Sequence, residues 1–278
     1  MRHRSDWGIV QAVTETAPPR VRHPLRAALA LYAAYMALHV LLAWDGGVVL
    51  RTLLPGVDGW LGPATWAVYA AFTVVVVAVT GRWRAVGLLA APRPGWLRLI
   101  AVPFAAGLPF VLFGWNLETG DVVPLLLVGV PLIALNEELM FRGILLDMLG
   151  PLGVRRAVAW TAVLFGCSHL ANLVAGAYPP FTAMQVAATT AGGVAFAAIR
   201  IRSGSLWPLL VLHAAIDVVA IGTLTGPATT SPILLPVLFA WLAANLALWR
   251  WGWHVLRTPS AGGGAPSPAP APGGARAA

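Results

Sequence analysis

The sequence contains no lysine, one cysteine and few acidic residues. All 18 of its basic residues are arginine, 10 residues are acidic, and charged residues make up 10% of the 278-residue chain. Soluble globular domains carry about 25% charged residues. A chain that is 59% hydrophobic and so poor in charge cannot cover its apolar side chains within one water-facing globule. The single Cys167 excludes an intrachain disulfide framework.

Long apolar runs occupy most of the chain. A helix needs about 20 predominantly apolar residues to cross the hydrocarbon core of a bilayer, and most of these runs reach that length. The sequence therefore predicts an all-α, polytopic transmembrane helical bundle whose main partner is the lipid bilayer. We place eight spans, at residues 25–44, 60–80, 97–115, 122–148, 154–175, 181–200, 205–223 and 232–250.

Two tails flank the apolar region. Residues 1–24 are polar and lack the apolar segment of a signal peptide, so we interpret them as a cytoplasmic tail. Residues 258–278 are rich in Pro, Gly and Ala and are predicted to be disordered. The transmembrane helical domain then comprises residues 25–257.

The arginines are distributed unevenly among the connections between spans. Both terminal segments carry arginine, and every even-numbered connection contains arginine or is followed by it within two residues of the next span's start, whereas the odd-numbered connections hold Arg51 alone, together with acidic residues. Because positively charged loops stay in the cytoplasm, this pattern predicts an even number of spans with both termini inside. The net charge of +8 thus reflects membrane topology and does not indicate a nucleic-acid partner. Arginine without lysine, in a chain rich in Ala, Gly, Val and Pro, indicates a GC-rich bacterial genome and hence the bacterial inner membrane.

Several ionisable residues lie inside the predicted spans, where a charge costs about 2.5–3.5 kcal/mol. They are Glu137, Glu138 and Arg142 in the fourth span, His169 in the fifth, and His213 and Asp217 in the seventh. Residues four apart share a helix face, which predicts pairing within the fourth span and a shared cavity for the two groups of the seventh. Carboxylates and imidazoles gathered in this way can activate water and stabilise an oxyanion.

The two adjacent glutamates are predicted to differ in role. Arg142 lies one turn from Glu138 and favours its ionised form, which makes this carboxylate a poor proton acceptor. The corresponding neighbour of Glu137 is Phe141, which carries no charge. Spacing alone therefore favours Glu137 as a general base.

Three short motifs contain these residues, each on its own span. They read EELMFR at residues 137–142, FGCSH at 165–169 and HAAID at 213–217. Together they resemble the motifs E-E-x-x-x-R, F-x-x-x-H and H-x-x-x-N/D of the type II CAAX prenyl endopeptidases, also called CPBP or ABI proteins. Each motif alone is weakly specific, but the ordered triple at membrane depth is strongly so. The resemblance covers about residues 120–225 and implies an intramembrane endopeptidase that hydrolyses membrane-associated peptides or proteins.

The resemblance also implies a set of catalytic residues. Glu137 resembles the base that activates the attacking water, and His169 resembles its partner on that water. His213 and Asp217 resemble the pair that holds the tetrahedral oxyanion. The last motif position is Asp here and Asn in many members, and an ionised Asp cannot donate a hydrogen bond. Asp217 must then be protonated, orient the neighbouring imidazole or bind a metal.

The remaining motif residues are implied to support the site. Glu138 belongs to the catalytic set and, with Arg142, resembles the family's supporting pair, while Phe165 lies one turn before the histidine of its motif. The zinc signature H-E-x-x-H is missing. A divalent metal such as zinc nevertheless remains open, with Glu137, His169 and His213 as its ligands and water as the fourth.

Two other functions compete with the protease. Intramembrane carboxylates and imidazoles also build proton relays, as in a proton-coupled transporter. A catalytically silent scaffold or immunity protein could keep the same fold. The charged groups cluster on three spans instead of forming a chain across the membrane, and no inverted repeat of broken helices is evident. These features favour the protease over the transporter.

The alternation of arginine-rich connections generates a topology prediction. Reporter fusions placed after Arg156 and after Trp253 should both report a cytoplasmic location, because both follow arginine-rich segments. A fusion after Asp58 is the matched control and should report the opposite side. A periplasmic signal from either of the first two fusions would contradict the predicted topology.

Overall fold

The computed structural model describes residues 23–115, 122–223 and 231–258, and it contains helices and turns but no strand within these ranges. The predicted cytoplasmic and disordered tails fall almost entirely outside the described residues. The helices are α1 (Pro24–Leu53), α2 (Asp58–Thr80), α3 (Trp96–Phe113), α4 (Val122–Leu152), α5 (Val154–Val174), α6 (Pro179–Ser203), α7 (Trp207–Thr223) and α8 (Leu234–Arg257). The predicted all-α helical bundle is confirmed.

Each predicted span corresponds to one of these helices. Within the described ranges, seven are long and apolar enough to cross a membrane, and α7 is a shorter apolar helix of 17 residues that runs up to the end of its described segment. The chain is thus a multi-pass membrane protein. The first and last helices extend further than the apolar runs predict, to Leu53 and Arg257. Each ends shortly before a proline, Pro55 or Pro259, because the residue that precedes proline disfavours the helical conformation.

Helix α6 is the central packing element, with α5 and α8 against it. Glycines at these contacts allow the backbones to approach closely. A Cβ on Gly193 of α6 would lie 3.1 Å from Ala162 Cα of α5, and one on Gly252 of α8 would lie 2.8 Å from the backbone nitrogen of Ala195. Small residues at such interfaces are the usual way for membrane helices to gain van der Waals contact.

Helix α4 is irregular at two places. It widens into π-helical turns at Leu125–Gly129 and Leu139–Leu145. Pro131, which has no backbone N–H, follows the first of them. The second begins directly after the adjacent glutamates, and single π turns of this kind are frequent at functional sites.

The largest apolar cluster of the bundle surrounds this second π turn. Its fully buried members include Met140, Phe141 and Ile144 of α4, and they pack with Phe165 of α5 and Leu212 of α7. The ionisable motif residues lie at the border of this cluster, between α4, α5, α6 and α7. Apolar packing thus fixes the backbones that carry the charged side chains.

Candidate active site

An ion pair lies at the centre of the candidate site. Arg142 Nη1 donates to Glu138 Oε1 over 3.1 Å, and the two side chains are only 1% and 0% exposed. Two aromatic rings cover the guanidinium, with Phe165 at 4.0 Å and Phe196 at 5.1 Å from Cζ to the ring centroid. Cation–π contacts of this kind gain strength when the cation is desolvated. This is the pairing along α4 that the four-residue spacing predicts.

His213 of α7 connects this ion pair to the other carboxylates. Its Nδ1 lies 2.7 Å from Glu138 Oε1, the same oxygen that accepts from the guanidinium. A carboxylate paired with arginine can only accept, so Nδ1 of the ring carries a hydrogen. The opposite nitrogen, Nε2, lies 3.6 Å from Glu137 Oε2 and 3.4 Å from Asp217 Oδ2. The imidazole therefore has one side fixed by a buried charge pair and one side facing two further carboxyl groups.

Phe196 of α6 stacks on this imidazole and fixes the orientation of its ring. The two rings are stacked with centroids 5.8 Å apart and an interplanar angle of 10°. Because the same phenyl ring also contacts Arg142, one aromatic side chain orients both hydrogen-bond partners of Glu138.

His169 lies directly after Val154–Ser168, the regular α-helical part of α5, and its side chain is half-buried. Its Nδ1 lies 3.0 Å from the Phe165 carbonyl oxygen, and Thr189 Oγ1 of α6 lies 3.4 Å from the same nitrogen. A carbonyl oxygen only accepts, so Nδ1 donates the hydrogen bond. In the neutral ring, Nε2 then has a lone pair that can accept a hydrogen bond from water.

One cavity of about 440 Å³ brings the predicted catalytic residues together. Glu137, His169, His213 and Asp217 all line it. Glu138 and Arg142 do not line it and lie behind the His213 ring. The predicted site residues thus form two groups: four face the cavity, and the buried pair supports one of them.

Helix α6 contributes residues that the sequence motifs do not indicate. Gln185 and Thr189 line the cavity together with Phe196, and Gln185 Oε1 accepts a hydrogen bond of 2.9 Å from Asn172 Nδ2. The Ala/Gly-rich sequence of α6 predicts close packing and carries no ionisable residue at this depth, so no local signal distinguishes these positions. The site involves four helices, not the three that carry motifs.

His39 of α1 is buried near the candidate site. Its side chain is 8% exposed and stacks on Tyr69 with centroids 3.8 Å apart. It also contacts the ring of Trp66, which lines the cavity. Because α1 continues to Leu53, His39 lies in mid-helix.

Apart from the catalytic candidates, most of the cavity lining is apolar. Side chains from α3, α6, α7 and α8 contribute to it, including Phe110, Phe181, Ile216, Trp241 and Leu248. Such a lining accommodates an apolar ligand segment placed against a small polar end.

The proposed metal ligands do not form a ligand set in this arrangement. Among the described residues, no group of three or more His, Cys, Asp and Glu side chains is placed to hold a metal. His213 has Nδ1 bound to a carboxylate, and its Nε2 is closer to Asp217 than to Glu137.

The sequence was compared with known proteins. Residues 119–219 match the family model described as Type II CAAX prenyl endopeptidase Rce1-like. This segment is CAAX prenyl endopeptidase-like. It contains all three motifs and every residue of the two groups described above, so the resemblance inferred from the motifs is confirmed. No curated protein and no solved structure matches the chain.

The arrangement of the glutamates predicts a difference in stability between two isosteric variants. Glu138→Gln leaves Arg142 fully buried without its counter-ion and should destabilise the protein by about 3–5 kcal/mol. Glu137→Gln should stay close to wild type because the side chain faces a cavity. Thermal denaturation in detergent measures both. Equal melting temperatures for the two variants would contradict a supporting role for Glu138.

Proposed function

We propose that the chain is an intramembrane endopeptidase that hydrolyses membrane-associated peptides or proteins with water activated by Glu137. The observation that carries the proposal is that two carboxyl groups and two imidazoles from three helices face one mainly apolar cavity. A peptide hydrolase of this kind requires a base, an electrophile for the oxyanion and a space for the substrate. The family-level likeness to CAAX prenyl endopeptidases supports the same reading.

The balance of positive and negative charges in the cluster indicates which of its groups carry protons. The guanidinium of Arg142 and a doubly protonated His213 provide two positive charges, opposed by three carboxyl groups. Burial of an unbalanced charge is costly, so one carboxyl group carries a proton in the resting state. We assign it to Asp217, which leaves Glu137 ionised and able to act as a base. Asp217 can then donate a hydrogen bond as the Asn of other family members does.

The first chemical step in the proposed mechanism is the attack of water. Glu137 accepts a proton from a water molecule whose other hydrogen is donated to His169 Nε2. The water oxygen forms a bond to the carbon of the scissile peptide carbonyl, and the carbonyl electron pair moves onto oxygen. General base catalysis of this kind contributes about 10²–10⁴-fold to the rate.

The oxyanion is stabilised in the next part of the mechanism. His213 donates through Nε2–H, because Nδ1–H is already committed to Glu138. Asp217 supplies a second donor from one turn further along α7. Removal of one such donor from a preorganised site typically costs about 10²–10³-fold in turnover.

Collapse of the tetrahedral intermediate completes the reaction. Glu137 returns its proton to the leaving nitrogen as the carbon–nitrogen bond breaks. The products are a new carboxyl terminus, which contains the oxygen of the added water, and a new amino terminus, which receives the proton that Glu137 accepted. The side chains return to their starting protonation states.

The mainly apolar walls of the cavity support a substrate that partitions into membranes. We place the enzyme in the bacterial inner membrane with both termini in the cytoplasm, in line with the arginine distribution and the composition. Peptides anchored in that membrane are the proposed substrate class.

The central test is the appearance of new peptide termini. Membrane vesicles from cells that lack the protein are incubated in ¹⁸O-labelled water with purified wild-type protein or with Glu137→Gln, and termini are identified by mass spectrometry. Wild type should produce new N-termini and one ¹⁸O atom in each matching C-terminus. Glu137→Gln should lower cleavage by at least about 10²-fold, because the amide cannot accept the proton.

Two further measurements distinguish the protease from a transporter, a silent scaffold and a metalloprotease. Proton flux across proteoliposomes without any cleavage would replace the protease by a transporter, and neither activity would leave a silent scaffold. Treatment with a chelator should leave cleavage intact, since the proposed mechanism uses a carboxylate base. Cleavage lost with chelator and restored by zinc would overturn the metal-free mechanism.

Asp217→Asn tests the protonated carboxyl group. We expect this variant to retain at least about a third of wild-type turnover, because the amide donates from the same place without needing a proton. Asp217→Leu is the matched control and should lose activity, since it removes the donor. Turnover abolished in Asp217→Asn would show that an ionised Asp is required instead.

A further inference from the structure

A basic groove lies away from the catalytic cavity, where α5 begins and α8 ends. Both helices pack against α6, and in the described segments they make little contact with each other. The space between them forms a shallow groove. Its lining consists of Arg155, Arg156 and Ala159 from α5, and of Trp249, Trp253 and Arg257 from α8.

The charge of this groove is unbalanced. Three arginines surround it, and among the described residues no acidic side chain lines it. Arg155, Arg156 and Arg257 take part in none of the ion pairs within the described ranges. Like charges held around one depression repel each other, and an anion seated among them would relieve this repulsion. Arginine presents a planar fork of donors that suits phosphate oxygens.

We propose that this groove binds the phosphate of an anionic phospholipid from the surrounding bilayer. The arginines lie at the helix ends, the level at which lipid head groups are found, and Ala159 leaves space on the floor of the groove. Trp249 and Trp253 are in edge-to-face contact with centroids 6.2 Å apart. Indole rings prefer the interface between head groups and acyl chains.

The surface next to the groove supports a lipid over a free phosphate ion. Val163 lies one turn beyond Ala159 on α5 and is 42% exposed, and Leu246 lies three residues before Trp249 on α8 and is 54% exposed. Residues three or four apart share a helix face. These apolar side chains therefore extend from the groove along both helices, where acyl chains attached to a seated head group would run.

The test uses the full-length protein purified in detergent, with lipid binding measured by native mass spectrometry. The probes are phosphatidylglycerol and phosphatidylcholine with identical acyl chains, each with and without excess inorganic phosphate. Wild type is compared with Arg155→Gln/Arg156→Gln and with Arg257→Gln, which removes charge from the other side of the groove. Arg250→Gln is the matched control, since Arg250 is an exposed arginine of α8 that does not line the groove.

Wild type should retain phosphatidylglycerol at least about tenfold more strongly than phosphatidylcholine. The double variant should lose most of this preference, because each arginine near anionic lipid contributes about 1 kcal/mol, a factor of about five each. Arg257→Gln should lose part of it, and Arg250→Gln should behave as wild type. Melting temperatures without added lipid verify that each variant is folded.

Three results would overturn the proposal. The first is equal binding of the two lipids by wild type. The second is wild-type lipid preference in both groove variants. The third is complete displacement of the lipid by an equal concentration of inorganic phosphate, which would indicate a site for the free anion.

Discussion

The candidate site depends on one carboxylate oxygen that is shared by two hydrogen-bond donors. Glu138 Oε1 accepts from Arg142 on its own helix and from His213 on α7. Because an unpaired charge at this depth is so costly, the three groups stabilise each other and fix two helices relative to one another. The position of His213 Nε2 in the cavity follows from this arrangement. The geometry of the candidate site and the packing of α4 against α7 therefore depend on the same contacts.

Two aromatic rings shield the buried ion pair from water. Phe165 and Phe196 cover the guanidinium on two sides, and the second of them also stacks on the imidazole. These rings keep water away from the buried charges while leaving the far side of the imidazole open to the cavity. Electrostatic interactions on the cavity side act in a medium of low dielectric, where they are strongest. Because water is excluded, removal of either charged partner costs more folding free energy than it would at an exposed site.

The sequence could predict the helices and the local pair, but not the contacts between helices. Each charged residue in a membrane span adds its own free-energy cost, so spans must be mostly apolar. The positions of the apolar runs therefore predict where the described helices lie. The Glu138–Arg142 contact is also local, since four-residue spacing places both on one face. The 2.7 Å contact from Glu138 to His213 spans 75 residues and depends on how α4 and α7 pack. Phe196 was missed for the same reason, because its helix shows only small-residue packing.

The close glycine contacts of α6 have a mechanical consequence. Where Gly252 meets Ala195, and Gly193 meets Ala162, the distance between helices is set by backbone atoms, which no change of rotamer can alter. Helices α5, α6 and α8 are therefore held together at backbone-to-backbone distance. Substitutions on the outward faces of α5 and α8 leave these contacts unchanged, whereas a methyl group added at Gly252 would lie 2.8 Å from the Ala195 backbone nitrogen and force the two helices apart.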